Sequence, residues 1–245
     1  MKKTAVITGG HHSLGLAISE EFAAHNYNLI ITYHNNKELA LKTQDTLQKK
    51  YTIEVDLYAV DFNNQNSTYQ FINSIKQKYQ KIDVIVNNAA YTKEEEFDKK
   101  DIQEINKILN INTIAPFIII NGLYKIMPEN SSIINIVSTN GIDTYSPLTM
   151  EYDASKAALI SLTKNFAIAL APKIRVNAIA PGWIKTNVTN SMNPNYIEKE
   201  ISKICLKRFA EPSEIASVVY FLVTPEAKYI NGEVIRVDGG QNVTR

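Results

Sequence analysis

Short, almost continuously apolar runs alternate along the chain with longer segments whose apolar residues return every three or four positions. The first run, Thr4–Thr8, predicts a strand buried on both faces. Gly9 and Gly10 break it, and Leu14–Ala24 then carries apolar residues at helical spacing. Further strands are predicted at Leu29–Tyr33, Val55–Val60, Ile82–Val86, Ile133–Val137, Ile174–Ile179 and Glu233–Val237. Helices are predicted between them at Lys37–Lys50, Asn66–Tyr79, roughly Asp98–Ile126 with Pro116 inside, from near Tyr152 to Leu170, and Pro212–Leu222. Residues 183–210 read as polar and irregular, with a weak helix near Ile197–Cys205.

Strands that alternate with helices and read as buried imply a parallel sheet covered on both faces. The expected fold is α/β, a single-domain Rossmann-type doubly wound sheet of about seven strands. No repeat, low-complexity tract or linker divides the 245 residues, so one domain spans 1–245. Eight of the nine glycines fall at strand ends or turns, where open α/β sheets bind ligands.

Composition narrows the class. A net charge of +1 provides no field for nucleic acid or acidic lipid. Cys205 is the only cysteine, so no intrachain disulfide forms and a reducing compartment fits. No signal-peptide pattern follows Met1, and the longest apolar run, Ile114–Ile120, is too short to span a bilayer. A cytoplasmic protein without membrane or nucleic-acid partners is expected.

The turn Thr8-Gly9-Gly10-His11-His12-Ser13-Leu14-Gly15 joins the first strand to the first helix. Glycines there let backbone approach a pyrophosphate, and the helix N-terminus supplies donors. His11 and His12 lack carboxylate or cysteine companions, so they read as solvated loop residues rather than metal ligands, and no metal is expected. The end of the second strand, Tyr33-His34-Asn35-Asn36, carries no acid to bind a ribose 2′-hydroxyl. That absence favours NADP(H), with NAD(H) as the alternative; Lys37, and His12 and His34 in their protonated minority, could supply positive charge. Asp61 after strand three could accept from an adenine amino group. Ala89 and Ala90 after strand four would leave room for a ribose. Tyr152 and Lys156 are four residues apart, on one helix face. A fixed ammonium about 4 Å from a phenol is worth on the order of 4 kcal/mol to the phenolate, enough to draw its pKa towards neutrality before desolvation takes some of it back. Asn112 and Ser138 read by themselves as a helix-face and a turn residue.

Taken in order, Thr8-Gly9…Gly15, Asp61, Asn87-Asn88-Ala89, Asn112, Ser138, Tyr152-x-x-x-Lys156, Pro181-Gly182 with Thr186, and Asp238-Gly239-Gly240 resemble the short-chain dehydrogenases/reductases. The resemblance covers essentially the whole chain and points to the compact group that includes 3-oxoacyl-carrier-protein reductases. It implies that Tyr152 is the acid in carbonyl reduction and the base in oxidation, and that Lys156 lowers its pKa and bonds the nicotinamide ribose. It implies that Ser138 polarises the substrate carbonyl and that Asn112 holds a water linking Lys156 to solvent. Gly9, His12, Ser13, Leu14, Gly15, Tyr33, His34, Asn35, Asp61, Phe62, Asn88, Ala89 and Ala90 would hold the cofactor. Pro181, Gly182, Ile184 and Thr186 would flank its nicotinamide, and residues 187–208 would cover the substrate. A small ketone or 3-oxoacyl thioester on CoA or an acyl-carrier protein is the expected partner, with Lys99, Lys100 and Lys107 as a candidate docking patch. Pairing of two helices implies a homodimer or homotetramer. Alternatives are an NAD-linked sugar, polyol or steroid alcohol dehydrogenase and a non-catalytic dinucleotide-binding regulator. The chain departs from the family pattern at Ser13, where a glycine is usual, and at Ala90. The fourteen-position step from Ser138 to Tyr152 is similar to the family's usual separation.

Overall fold

The computed structural model describes residues 2–186, 189 and 191–241. Seven parallel strands form one sheet: β1 (Thr4–Ile7), β2 (Asn28–Tyr33), β3 (Val55–Ala59), β4 (Val84–Asn87), β5 (Ser131–Ile136), β6 (Ile174–Pro181) and β7 (Val234–Val237). Their order is β3-β2-β1-β4-β5-β6-β7, so the direction of winding reverses between β1 and β4. Carboxyl ends of strands at such a switch point form a crevice.

The continuous apolar runs are explained by burial on both faces. Ala5 and Ile7 of β1 pack against Ile18 and Phe22 of α1 (Ser13–Ala24) and Val219 and Leu222 of α8 (Pro212–Val223). Val6, between them, faces the opposite layer with Ile72 and Ile75 of α3 (Gln65–Lys78) and Ile119 and Leu123 of α5 (Ala115–Leu123). Helix α2 (Lys37–Lys50) starts where Asn36 accepts a hydrogen bond from the Leu39 N–H.

The continuous helix expected over 98–126 is divided. A 3₁₀ turn occupies Phe97–Lys99, and Asp101 caps α4 (Ile102–Leu109). A π-turn spans Asn110–Ile114, where the Ala115 N–H reaches back to the Asn110 carbonyl, before α5 begins. Pro116 has no N–H to give the Asn112 carbonyl, so the regular ladder lapses there and the turn widens. Asn112 is therefore no solvated helix-face residue; it is 1% exposed.

The region expected to be irregular is also more ordered. Helix α7 spans Pro194–Lys203, with the Asn193 side chain accepting from the Asn195 N–H and Pro194 in the first turn. Trp183 stacks on Phe209 at 5.5 Å between centroids and donates to Glu200 on α7 at 3.2 Å. A bridge joins Ile184 to Ala210, and the Leu206 N–H bonds the Gly239 carbonyl at 3.1 Å. Of the expected substrate-covering segment 187–208, positions 187, 188 and 190 lie outside the described residues.

Candidate active site

The turn after β1 is built around two glycines. Gly9 has φ +66° and donates its N–H to Thr32 Oγ1 of β2 at 3.0 Å. A Cβ on Gly15 would stand 2.1 Å from the Gly9 carbonyl oxygen, so no side chain fits. Ser13, in place of the family glycine, adopts φ +48°, a left-handed conformation that strains a residue with a Cβ. His12 is the N-cap of α1 but makes no side-chain cap bond, and the first turn has no acid. The orphan N–H groups of that turn are thus left for an anion.

This loop opens on a cavity of about 290 Å³. Gly9, His11, His12, Ser13, Leu14 and Gly15 line one side, with Tyr33 and His34 from the end of β2. Asp61 and Phe62 after β3 and Asn88, Ala89 and Ala90 after β4 also line it, with Tyr91 and Ile111. Thr8 Oγ1 accepts from the Asn88 and Ala89 N–H groups, both at 2.9 Å, and Asn88 Nδ2 donates to the Thr8 carbonyl at 2.9 Å. Asn88 therefore ties two strand ends together. Asn35 is exposed and does not line the cavity, and Asn36 is occupied as the α2 cap.

The histidines separate. His12 is exposed, as expected of a solvated loop, but His11 is 4% exposed and its Nδ1 has no partner. Burial, and then His12 beside it, lower the His11 pKa to about 4, so the ring is neutral at physiological pH. His34 Nε2 lies 3.9 Å from Asp61 Oδ1. No group of three metal-ligating side chains occurs among the described residues.

The second constellation lies at the N-terminal end of α6 (Met150–Leu170) and the end of β5, outside the lining of that cavity. Lys156 is 2% exposed, donates to the Ile136 carbonyl at 2.9 Å, and sits 5.5 Å from the Tyr152 ring centroid. Burial lowers its pKa to about 7. Burial likewise raises Tyr152 to about 12, against a Ser138 hydrogen bond that favours the phenolate. The expected drift of Tyr152 towards neutrality is absent from the protein alone. Desolvation penalises both charges, and the ammonium is bonded to backbone rather than to the phenol.

Asn112 is held from three sides. The Tyr91 N–H donates to its Oδ1 at 2.8 Å, and its Nδ2 donates to the Tyr91 carbonyl at 2.9 Å and Ser155 Oγ at 3.0 Å. The Ser155 hydroxyl in turn bonds the Tyr152 carbonyl at 2.7 Å. Ser138 is 9% exposed and extended at φ −160°, while Thr139 beside it is 2% exposed. Pro181 and Gly182 end β6, where the Gly182 N–H bonds the Val237 carbonyl at 3.1 Å. The Thr186 N–H bonds Thr189 Oγ1 at 2.8 Å, and that hydroxyl reaches the Ile184 carbonyl at 2.9 Å.

Two expectations about lysines change. Lys100 is not a free surface cation: its side chain is 6% exposed and pairs with Glu151 at 2.7 Å. Lys107 lies over the Tyr91 ring at 4.0 Å and 3.4 Å from Glu104. Only Lys99 of the three is unengaged in a described ion pair. Asn140, Asp153 and Ser155 make contacts around Ser138 and Tyr152 that motif reading did not assign, and His11, read as a solvated loop residue, is buried. Their only linear signal is polarity beside Gly10, Ser138 and Tyr152.

A glycine turn at the switch point, with Ser138, Tyr152 and Lys156 at the end of β5 and the start of α6, is the arrangement expected of a dinucleotide-linked oxidoreductase. The chain belongs to the short-chain dehydrogenase/reductase family and is an NAD(P)-dependent enzyme of that family. Residues 9–242 match the family described as Enoyl-(Acyl carrier protein) reductase. The chain is 34% identical to the 3-oxoacyl-[acyl-carrier-protein] reductase FabG of Thermotoga maritima, across 97% of each protein. It superposes with TM-score 0.93 and 27% identity on a blue fluorescent protein from a metagenomic library in complex with NADPH, covering 98% of each chain. A short-chain dehydrogenase from Burkholderia cenocepacia in complex with NADP gives TM-score 0.92 and 26% identity, again over 98% of both chains. No described helix is long and apolar enough to cross a membrane.

Proposed function

We propose that the protein reduces a carbonyl, a small ketone or a 3-oxoacyl thioester, to an alcohol at the expense of NADPH. The observation that carries this is the grouping of Tyr152, Lys156 and Ser138 at the carboxyl end of β5, on the same sheet edge from which the uncapped N-terminus of α1 starts. The residues present fit a dinucleotide. The open first turn of α1 suits its pyrophosphate, and the cavity beyond carries no acid at the end of β2. Gly9, Ser13, Leu14 and Gly15 would hold the phosphates, His12 and His34 the ribose end, and Asp61 the base. The cofactor supplies the hydride; the protein orients the carbonyl and moves a proton.

Tyr152, held protonated by its high pKa, gives its proton to the carbonyl oxygen as negative charge develops there. Ser138 donates a hydrogen bond to that oxygen. Lys156, when charged, offsets the phenolate left behind. The NADP preference draws support from the NADPH- and NADP-bound structures of similar proteins, and the thioester from the Thermotoga relative. Exposed apolar residues on the outer helices, Phe117 of α5 and Ile168 of α6, suit pairing between copies in a homodimer or homotetramer.

The test is a screen of acetoacetyl-CoA and small ketones with both reduced cofactors, followed by nicotinamide absorbance. Tyr152→Phe should lower turnover by at least about 100-fold. Full activity in that variant would refute the proton-donor role. Tighter binding of NADH than NADPH would overturn the cofactor assignment.

A further inference from the structure

One carboxylate ties three points of the segment between Ser138 and Tyr152 to α6. Asp153, on α6 next to Tyr152, is 7% exposed. Its Oδ1 accepts from Asn140 Nδ2 at 2.8 Å and Thr149 Oγ1 at 3.2 Å, and its Oδ2 accepts from the Ser146 N–H at 2.9 Å. A buried carboxylate is an acceptor only, so it dictates the orientation of the Asn140 amide. The NH₂ must face Asp153, which turns Asn140 Oδ1 towards the other side. There it lies 3.3 Å from Ser138 Oγ. Both oxygens cannot accept in that contact, so the Ser138 hydroxyl is the donor there, and its one hydrogen is then withheld from the Tyr152 oxygen, the other it can reach. The Asn140 N–H simultaneously donates to Ser138 Oγ at 3.2 Å.

We infer that Asp153 is a positioning residue which, through Asn140, fixes the direction in which the Ser138 hydroxyl points. The inference rests on the reading of Ser138 as the group that polarises the substrate carbonyl. With the hydroxyl parked on Asn140, the oxygen is anchored and oriented before substrate arrives. A substrate carbonyl then has only to draw the hydrogen away from a long 3.3 Å contact. Were the amide free to turn, its NH₂ would donate to Ser138 and send the serine hydrogen elsewhere.

The test uses the full-length protein, acetoacetyl-CoA and NADPH. Asn140→Ala and Asp153→Asn should each lower kcat about tenfold, the order expected for one hydrogen bond. The Kd for NADPH should stay within about twofold, because neither side chain lines the dinucleotide cavity. In a Ser138→Ala background, Asn140→Ala should cause no further loss. Asn140 is partly exposed, so that variant keeps its fold if Asp153→Asn does not. Equal losses with and without Ser138 would overturn the inference, since a merely structural role acts in both backgrounds. A second readout needs no substrate. The ¹³Cζ resonance of Tyr152 in tyrosine-labelled protein should move in Asn140→Ala and stay put when Asn140→Ala is added to Ser138→Ala. If wild-type protein binds NADPH but reduces no carbonyl, the proposed reaction fails, while this resonance still decides the role of Asp153. An unmoved resonance in Asn140→Ala would overturn that role.

Discussion

Replacing Lys156 by methionine should stabilise the cofactor-free protein while abolishing its chemistry. Lys156 is 2% exposed, and its ammonium has one described partner, the Ile136 carbonyl at 2.9 Å. Burial brings its pKa from 10.5 to about 7. At ~1.4 kcal/mol per pH unit, that difference costs the folded state roughly 5 kcal/mol at neutral pH. Methionine has a similar volume and no charge, so it removes that cost. It also forfeits a hydrogen bond worth about 1 kcal/mol and leaves a buried carbonyl unpaired at ~1–3 kcal/mol. The net expectation is a gain of about 2 kcal/mol at pH 7. Its pH dependence is more decisive than its size. Between pH 7 and 10.5 the unfolded lysine binds a proton that the folded one has released, so wild-type stability rises with pH by up to ~1.4 kcal/mol per unit relative to the variant. Below pH 7 both states bind it and the difference is constant. Urea unfolding at pH 7, 8 and 9, followed by the fluorescence of Trp183, the single tryptophan, measures both proteins. The advantage of the variant should shrink with each unit and reverse near pH 9. Parallel stability profiles would show that burial does not displace the lysine proton.

Two backbone predictions concern the β1–α1 turn. Ser13→Gly removes left-handed strain of ~1–2 kcal/mol but restores unfolded-chain entropy worth ~0.4–1 kcal/mol. A net stabilisation of about 0.5–1 kcal/mol should appear as a Tm rise of roughly 1–4 °C by calorimetry, and a lower Tm would contradict the φ of +48°. Gly15→Ala drives a Cβ to 2.1 Å from the Gly9 carbonyl oxygen. It should cost more than ~2 kcal/mol and weaken NADPH binding at least about tenfold by nicotinamide fluorescence; unchanged affinity would show that the turn does not hold the phosphates.

The sheet was legible because its central strands are buried on two faces, which leaves only apolar residues between Thr4 and Thr8 in β1, whereas the edge strands β3 and β7 are half-buried. The Gly9 and Gly15 turn was legible because its backbone geometry restricts residue type locally. What escaped depends on bonds that are missing or distant. Pro116 signalled a disturbance, but not that Asn112, four residues earlier, would be the one turned inwards. Asn193-Pro194 is a readable N-cap and first-turn pair, and overlooking it placed the start of α7 three residues late. The lysine patch failed because two of its three members are engaged by other side chains, Lys100 by Glu151 and Lys107 by Glu104 and Tyr91. Glu151, which removes Lys100 from solvent, comes fifty-one positions later. Nothing local marks His11 as buried beside an exposed His12.

The first turns of α6 carry four buried polar residues, Glu151, Asp153, Ser155 and Lys156, an arrangement costly for a helix unless each is paired. Each finds its partner on a different segment. Lys100 before α4 takes Glu151, Asn140 and Ser146 take Asp153, Asn112 in the π-turn takes Ser155, and Ile136 of β5 takes Lys156. Tyr152 lies between these anchors and makes few bonds of its own. Its position is therefore set by neighbours attached to four separate pieces of the chain. The π-turn, the 139–149 segment and the buried Lys100 are then parts of one device. In the proposed reaction they would hold a protonated phenol at the place of the carbonyl oxygen, and their bonds account for the polar residues of this helix that face inwards.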